Sequence, residues 1–167
     1  DIALDKDGRT NLYFTEYDTK KWTGDLKKIQ LEEVRVGGQL TLKAVQKWSA
    51  AERLDAIDNP VANRTIFTPN ASLNGLLDFT RGAMPDALLK KIRKDPEKAK
   101  IVVDYVRGRK NLNTEFYRER DTLLGDLINS RATFVQGRNF GYIDDTYTDY
   151  VLNNRKNRKP MIYVGGN

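Results

Sequence analysis

Apolar and polar residues alternate over the first third of the chain, and this pattern predicts a small antiparallel sheet. Gly37-Gly38 has the composition of a two-residue hairpin turn. Leu40 and Leu42, with Ala44, alternate with polar neighbours as in a half-buried strand. The expected strands are 12–17, 26–31, 34–36 and 40–43.

The middle of the chain changes to a helical period. Ser49-Ala50-Ala51-Glu52 is a capping box, and the helix that it opens is expected to end at Asn59-Pro60. Pro85 marks the start of a second helix, and Asp95-Pro96-Glu97 the start of a third, which ends at Gly108. The third helix carries an apolar stripe formed by Ala99, Val102, Val103 and Val106. A short strand is expected at 64–68, ended by Pro69.

The last third returns to extended structure. A strand is expected at 132–135, followed by a helical segment at 147–154 that ends before Pro160. Met161 to Val164 predict a buried strand, and Gly165-Gly166-Asn167 predict a turn after it. No partner strand follows that turn. The pattern therefore predicts a piece of a longer protein, or a last strand that pairs elsewhere.

The order of these elements predicts the fold class. Strands, then helices, then strands without regular alternation indicate an α+β protein with a small antiparallel sheet and several short helices. The chain is expected to form a single domain or sub-domain over 1–167. Its parts are a β-rich stretch at 1–46, a helical stretch at 47–110 and a mixed stretch at 111–167.

Composition narrows the function classes. The chain has 167 residues, of which 39% are hydrophobic and 31% charged, and no apolar run approaches the roughly 20 residues of a membrane helix. It contains neither Cys nor His, which excludes thiol and imidazole chemistry and Cys/His zinc sites and favours a non-enzymatic role. A carboxylate-based hydrolase remains as a third alternative, without a defined acid/base pair.

Charge suggests one alternative function. There are 29 Lys and Arg against 23 Asp and Glu, an excess that favours anionic partners. The basic residues cluster at 90–94, 107–110 and 155–159. Solvated helix ends explain such clusters more simply, so nucleic acid is not the expected partner. A basic domain that binds nucleic acid or another anionic polymer is the alternative.

Candidate metal ligands are weak. Asp5 and Asp7 precede Gly8 as at the start of a calcium loop, but an ordinary Asp-Gly turn explains them better. No metal site is therefore predicted in this segment. Asp144 and Asp145, with Asp149 nearby, could form an acidic cluster, although capping of a helix explains the first two.

A constellation of short motifs is more specific. Trp22-Thr23-Gly24-Asp25-Leu26 is followed by Trp48-Ser49-Ala50-Ala51, by 64–68 and by Tyr105-Val106-Arg107-Gly108. Further on come Arg118-Glu119-Arg120, the stretch 124–130 and the closing stretch 157–167. In this order and spacing the chain resembles the PilC/PilY-type family of type IV pilus tip-associated adhesins. The resemblance runs from about Tyr13 to Asn167.

The resemblance implies a fold and a function. The matching region of the family leads into a C-terminal modified β-propeller, so the chain would end in the first strand or strands of an incomplete propeller. A calcium loop would lie in the downstream part, and no cofactor is implied here. The implied role is a non-enzymatic scaffold in pilus assembly and surface attachment, outside the cell at the pilus tip or cell surface. The implied partners are minor pilins or the tip complex, the rest of the propeller, and a host or abiotic surface.

The resemblance also selects residues, and simple chemistry suggests their roles. Gly24 and Gly125 are expected to permit tight turns, and Asp25 and Asp126 to cap the backbone N–H groups of those turns. Tryptophans would fill space between sheet and helices. Two departures from the family pattern are the sequence 129–132 and glycine at 166, where alanine is more usual. The structural motif residues are Trp22, Gly24, Asp25, Trp48, Arg64, Arg118, Arg120, Gly125, Asp126, Ser130, Tyr163 and Gly165.

Overall fold

The computed structural model describes residues 1–4, 7–110, 112–113, 115–136 and 141–166. Asp5 and Asn167 lie outside these residues, so the expectations that involve them stay predictions. The strands are β1 (Ile2–Leu4), β2 (Thr10–Asp18), β3 (Thr23–Val36), β4 (Gln39–Ser49), β5 (Phe67–Pro69), β6 (Leu76–Asp78), β7 (Thr133–Val135) and β8 (Met161–Tyr163). The α-helices are α1 (Ala50–Asp55), α2 (Pro60–Asn63), α3 (Asp86–Ile92), α4 (Pro96–Arg107) and α5 (Asp145–Asp149).

These elements confirm an α+β fold with a small antiparallel sheet and several short helices. The chain divides into two compact units. Unit 1 comprises 1–52 and 124–167, and unit 2 comprises 53–123. None of the helices in the described part of the chain is long and apolar enough to cross a membrane.

The main sheet belongs to unit 1 and has the strand order β1-β2-β3-β4, antiparallel throughout. The pairing of 12–17 with 26–31 and the hairpin turn at Gly37-Gly38 are confirmed. Both turn glycines have positive φ, 57° and 85°, as a two-residue hairpin turn of the primed type requires. Glycine is needed there because a Cβ disfavours this backbone conformation.

The half-buried pattern expected in β4 is wrong. Leu40 and Leu42 are each 64% exposed, and Ala44 is exposed as well. Pairing between β2 and β3 ends at Asn11 and Gln30, while the β3–β4 ladder continues to Val36 and Gln39. More than half of this ladder, from Leu31 and Ala44 to Val36 and Gln39, is therefore a two-stranded arm, and alternation along it does not indicate burial.

The last strand pairs within the chain, as one of the two predicted alternatives has it, but it is less buried than predicted. β8 pairs with β7 in an antiparallel two-stranded sheet, so it has a partner within the chain. Its central residue, Ile162, packs against the core of unit 1, whereas Met161 and Tyr163 are 48% and 52% exposed. The expectation of a buried strand is wrong for these two residues, because only one face of a two-stranded sheet is covered here.

The core of unit 1 lies between the main sheet and the stretch that follows unit 2. Tyr13 and Leu26 from the sheet pack with Leu127 and Ala132. Phe134 from β7 stacks on Tyr13 with ring centroids 5.0 Å apart and planes 11° apart. The sheet and the C-terminal third of the chain therefore share one core.

Unit 2 confirms the predicted second and third helices, with a core formed by Met84, Leu89, Ala99 and Val103. The apolar stripe on α4 is only partly buried, because Val106 is 42% exposed. Pro60 begins α2 instead of ending α1, which stops earlier, at Asp55. The short strand near 64–68 is β5, which pairs with β6 and begins three residues later than expected.

Near the C-terminus, α5 continues as a π-helical turn (Tyr150–Asn154) and a 3-10 turn (Arg155–Asn157). The predicted helical segment before Pro160 is confirmed, and so is its N-cap. Asp144 Oδ1 accepts hydrogen bonds from the backbone N–H groups of Thr146 at 2.9 Å and Tyr147 at 3.1 Å. The β-propeller that the family resemblance implies would include the sheet formed by β7 and β8, and this stays a prediction.

Candidate functional site

The structure places the motif residues in two groups. Unit 2 contains the three arginines, Arg64, Arg118 and Arg120. Unit 1 contains the others: Trp22, Gly24, Asp25, Trp48, Gly125, Asp126, Ser130, Tyr163 and Gly165.

Gly24 lies at the start of β3, where two backbone segments approach closely. A Cβ atom added there would be 2.7 Å from the backbone nitrogen of Leu127 and 2.9 Å from the carbonyl oxygen of Gly125. Gly24 lies within β3, so the tight turn expected at this residue is wrong, and neither Gly24 nor Gly125 is among the described glycines with positive φ. The physical need at Gly24 is the absence of a side chain, not a left-handed backbone.

Asp25 binds the start of α1 instead of its own turn. One carboxylate oxygen accepts from Ser49 Oγ at 2.6 Å, and the other accepts from the backbone N–H of Ala51 at 3.0 Å. Ser49 Oγ in turn accepts from the backbone N–H of Glu52 at 3.1 Å, which confirms the serine side of the capping box. Asp25 and Ser49 thus satisfy two of the N–H groups that a helix start leaves without partners.

The two tryptophans have different environments. Trp48 is half-buried against the unit 1 core, with its ring centroid 6.3 Å from that of Tyr13. Trp22 is 55% exposed, has a φ of 53° and makes an edge contact with Tyr17 in the β2–β3 hairpin. The prediction that Trp22 fills space between sheet and helices is therefore wrong.

The stretch 124–132 is held against both the main sheet and the end of β8. Thr15 Oγ1 donates to the backbone carbonyl of Ser130 at 3.1 Å. A Cβ at Gly165 would lie 3.2 Å from Ser130 Oγ, and one at Gly166 would lie 3.3 Å from the carbonyl oxygen of Asp126. Glycines after β8 therefore let the chain pass close to this stretch.

In unit 2, the motif arginines surround the C-terminal end of α4. The helix ends in a Schellman motif: Gly108, with a φ of 114°, donates to Tyr105 O at 3.0 Å, and Arg109 N–H donates to Asp104 O at 2.8 Å. Arg120 Nη2 also donates to Tyr105 O, at 2.6 Å. Arg64 Nη1 donates to Val106 O at 3.0 Å. Cations at this end also suit the helix dipole.

Arg107 is the most buried arginine of the described chain, at 3% exposure. Its guanidinium donates to four backbone carbonyls, including Phe79 O at 3.0 Å and Ala62 O at 3.4 Å. The other two acceptors are the carbonyls of Val61 and Arg64. One side chain thereby joins α4 to α2 and to the chain after β6.

The charges around this end of α4 are only partly neutralised. Asp104 forms ion pairs with Arg81 at 2.7 Å and with Arg109 at 3.1 Å. Burial, followed by the positive charges of Arg107 and Arg120, lowers the pKa of Arg64 from its ordinary value. These like-charged neighbours indicate a region of positive potential.

A cavity of about 240 Å³ lies beside this cluster. Arg120 stacks over the Tyr105 ring, 4.0 Å from its centroid, and Tyr117 packs against Tyr105 with ring centroids 5.1 Å apart. The Tyr105 hydroxyl donates to the backbone carbonyl of Arg118 at 2.8 Å. The lining residues are Tyr105, Arg109, Lys110, Leu112, Tyr117, Arg118, Glu119, Arg120 and Leu123.

The acidic residues at 144–149 do not form a catalytic arrangement. Asp144 caps α5, and Asp149 Oδ1 accepts from Asn153 Nδ2. The hydroxyl of Thr146 and the backbone N–H of Tyr147 lower the pKa of Asp144, as expected for a capping carboxylate. No group of three or more potential metal ligands occurs among the residues that the structure describes, a range that includes Asp7 but not Asp5.

The comparisons with known proteins find two relatives. The Type IV pilus biogenesis factor PilY1 from Pseudomonas aeruginosa, in strains PAO1 and PAK, is 29% identical to the chain over 163 residues. The match covers 89% of this chain. The resemblance to the PilC/PilY-type family is confirmed.

The match to these PilC/PilY-type proteins is limited in extent. The chain spans 14% of the length of each relative. No family model and no solved structure matches it.

The sequence analysis did not predict the burial of Asp104, the burial of Arg107 or the buried amide pair of Asn11 and Gln30. Asp104 and Arg107 are buried on α4, although charged residues within a helix are usually expected at the surface. Asn11 and Gln30 form a buried amide pair between β2 and β3, with a 3.2 Å hydrogen bond from Gln30 Nε2 to Asn11 Oδ1. Arg107 had one usable signal, its place in the quoted motif just before the glycine that ends α4.

Proposed function

We propose that this chain is a structural, non-enzymatic segment of a type IV pilus biogenesis factor. The similarity to two proteins named as such factors supports this role. In this proposal the segment acts outside the cell, at the pilus tip or cell surface, with minor pilins or the tip complex as partners. Attachment to a host or abiotic surface is an associated role.

The more specific proposal is that β7 and β8 belong to a larger β-structure, a modified β-propeller completed by other parts of a longer protein. Calcium, if bound, would be held by those other parts. Residues Thr133 and Val135 pair with Tyr163 and Met161, so these four share the face opposite to Phe134 and Ile162. That face carries two large, half-exposed apolar side chains.

The exposed face of β8 is the observation that carries this proposal. Met161 and Tyr163 flank Ile162, which packs into the core, so the strand has one covered and one uncovered apolar face. Within the described residues, β8 pairs only with β7, and its second edge has no strand beside it. Strands with apolar residues on both faces are typical of sheets covered on both sides.

The motif residues support a structural role. Asp25 caps α1, Gly24 permits a close backbone approach, and Arg64 and Arg120 bind the last carbonyls of α4. In the described residues every buried side-chain nitrogen or oxygen has a hydrogen-bond partner. Satisfied polar groups of this kind stabilise a fold.

The basic-polymer alternative gains nothing from the comparisons or from the geometry. In the cluster 107–110, Arg107 is buried against carbonyls and Arg109 is paired with Asp104. The relatives are named as pilus biogenesis factors.

The test changes the exposed face of β8 in the natural protein that contains this chain. We expect Met161→Lys with Tyr163→Lys to reduce surface pili strongly in a piliated host while the secreted protein is still detected. The matched control is Leu40→Lys with Leu42→Lys, which changes two exposed residues at the same spacing on β4. Sheared surface pili are measured by immunoblot.

Two results would contradict the proposal. Normal piliation in the β8 variant, with the protein present at its usual level, would remove the role of this face. Equal loss in both variants would indicate a general effect of added charge. Thermal unfolding of the purified 167-residue variants separates either result from misfolding.

A further inference from the structure

We propose that the cavity beside the C-terminal end of α4 binds the carboxylate side chain of an acidic segment from a partner protein. The residues that support this site all belong to unit 2, whereas β8 belongs to unit 1. Failure of the proposed role of β8 would therefore not count against the site. It is supported by the size of the cavity, by the charge of its lining and by the exposed Phe116, which precedes the lining residue Tyr117 in the sequence.

Size limits what the cavity can hold. Its volume is about 240 Å³, below the roughly 300 to 1,000 Å³ of sites that enclose a drug-sized ligand or cofactor. Two tyrosine rings and the side chains of Leu112 and Leu123 supply apolar surface. A space of this size and lining suits one or two side chains of a peptide.

Charge selects the chemistry of those side chains. The lining contains four cations, Arg109, Lys110, Arg118 and Arg120, and one carboxylate, Glu119. Arg120 donates a hydrogen bond to the carbonyl oxygen of Tyr105, which is neutral, so this bond does not neutralise the charge of Arg120. Arg64 and Arg107 also bind neutral carbonyls close to the cluster, so their charges add to the potential at the cavity.

The surroundings favour a protein partner over a nucleic acid. Phe116, in the same 112–120 stretch, is 66% exposed, and the cavity is lined by two tyrosines and three arginines. Aromatic residues and arginine are enriched at the centres of protein interfaces. Arg109 is already paired with Asp104, which weakens a continuous track of cations for phosphates.

The experiment uses the 167-residue chain and a dye-labelled short peptide with glutamates on both sides of one phenylalanine. We expect saturable binding by fluorescence anisotropy. Replacing the glutamates by glutamines lowers the affinity by about tenfold or more. We expect Lys110→Glu with Arg118→Glu to lower it by about tenfold as well, since both side chains line the cavity.

The matched control is Lys90→Glu with Lys91→Glu, which makes the same charge change on exposed residues of α3 outside the cavity lining. It should keep affinity within about twofold of the original. A milder variant, Lys110→Ala with Arg118→Ala, replaces the reversal if thermal unfolding shows that the reversal disturbs the fold.

Three results would overturn the inference. The first is no saturable binding of the acidic peptide. The second is an equal loss of affinity in the α3 control, which would indicate a general charge effect. The third is tighter binding of a short single-stranded DNA with the same sensitivity to Lys110 and Arg118, which would assign the cavity to an anionic polymer.

Discussion

Different interactions stabilise the two units of the chain. In unit 1, backbone segments pass so closely that Gly24 admits no side chain, and a carboxylate caps α1. In unit 2, arginine side chains bridge segments by donating to carbonyls, and the most buried of them, Arg107, binds four. The stability of unit 1 therefore depends on close backbone packing at Gly24, and the stability of unit 2 depends on the hydrogen bonds of Arg107.

The largest expected effect comes from removing the bridge in unit 2. Arg107→Met keeps a long apolar side chain but leaves buried carbonyls without a donor, which we expect to lower the free energy of unfolding by about 3 kcal/mol. Arg107→Lys should recover only part of this loss, because an ammonium group lacks the planar fork of donors. Urea denaturation measures both variants.

The control for this prediction is Arg93→Met, the same change at an exposed arginine of unit 2. It should stay within about 0.5 kcal/mol of the original chain. Equal stability of the Arg107 and Arg93 variants would show that the carbonyl bridge does not hold unit 2, and the contrast between the units would fail.

A smaller effect is expected from adding one methyl group to unit 1. Gly24→Ala places a Cβ against the backbone of Leu127 and Gly125, which has to move, and overpacking of this kind costs about 1 to 3 kcal/mol. Gly82→Ala is the control, since a Cβ there meets nothing within 4 Å. Thermal unfolding compares the two, and a similar midpoint for both would contradict the steric argument.

The cap of α1 tests whether unit 1 also depends on hydrogen bonding. We expect Asp25→Ala to cost about 1 kcal/mol, the usual value of an N-cap, because the N–H of Ala51 loses its acceptor. A double-mutant cycle with Ser49→Ala should show coupling, since the two side chains share a 2.6 Å hydrogen bond. Strict additivity would mean that the pair acts as two separate caps.

The sequence predicts the elements of this fold better than their burial. Periodicity locates the sheet, α3 and α4, and the capping box locates α1, because these signals are local. Hydrophobic periodicity overestimates the burial of Leu40, Leu42 and Met161, because the pattern does not show whether another layer of the protein covers the strand. The same limit hides Arg107, whose role depends on carbonyls 28 to 46 residues away in the chain.

The candidate site shows a similar division. The motif arginines could be selected from the sequence through the resemblance, but not their shared place at the end of α4. That place depends on the tertiary fold, which brings Arg64 and Arg120 to the C-terminal end of α4. Likewise, Gly24 reads as a turn glycine in sequence, and only the passage of 125–127 beside it reveals a packing requirement.

The smallest expected effect concerns the second carboxylate cap of unit 1, at α5, which is exposed to solvent. The Thr146 hydroxyl, the Tyr147 N–H and the Thr146 N–H hold the pKa of Asp144 below its ordinary value of 3.8. A carboxylate with a lowered folded pKa stabilises the helix above the unfolded value, and this contribution is lost as pH falls through the folded pKa.

We therefore expect the amide signals of Thr146 and Tyr147 to shift in NMR spectra only below about pH 3.8, while Asp144→Asn shows no such titration. If the two amides instead titrate well above this value, the carboxylate does not accept their hydrogen bonds in solution.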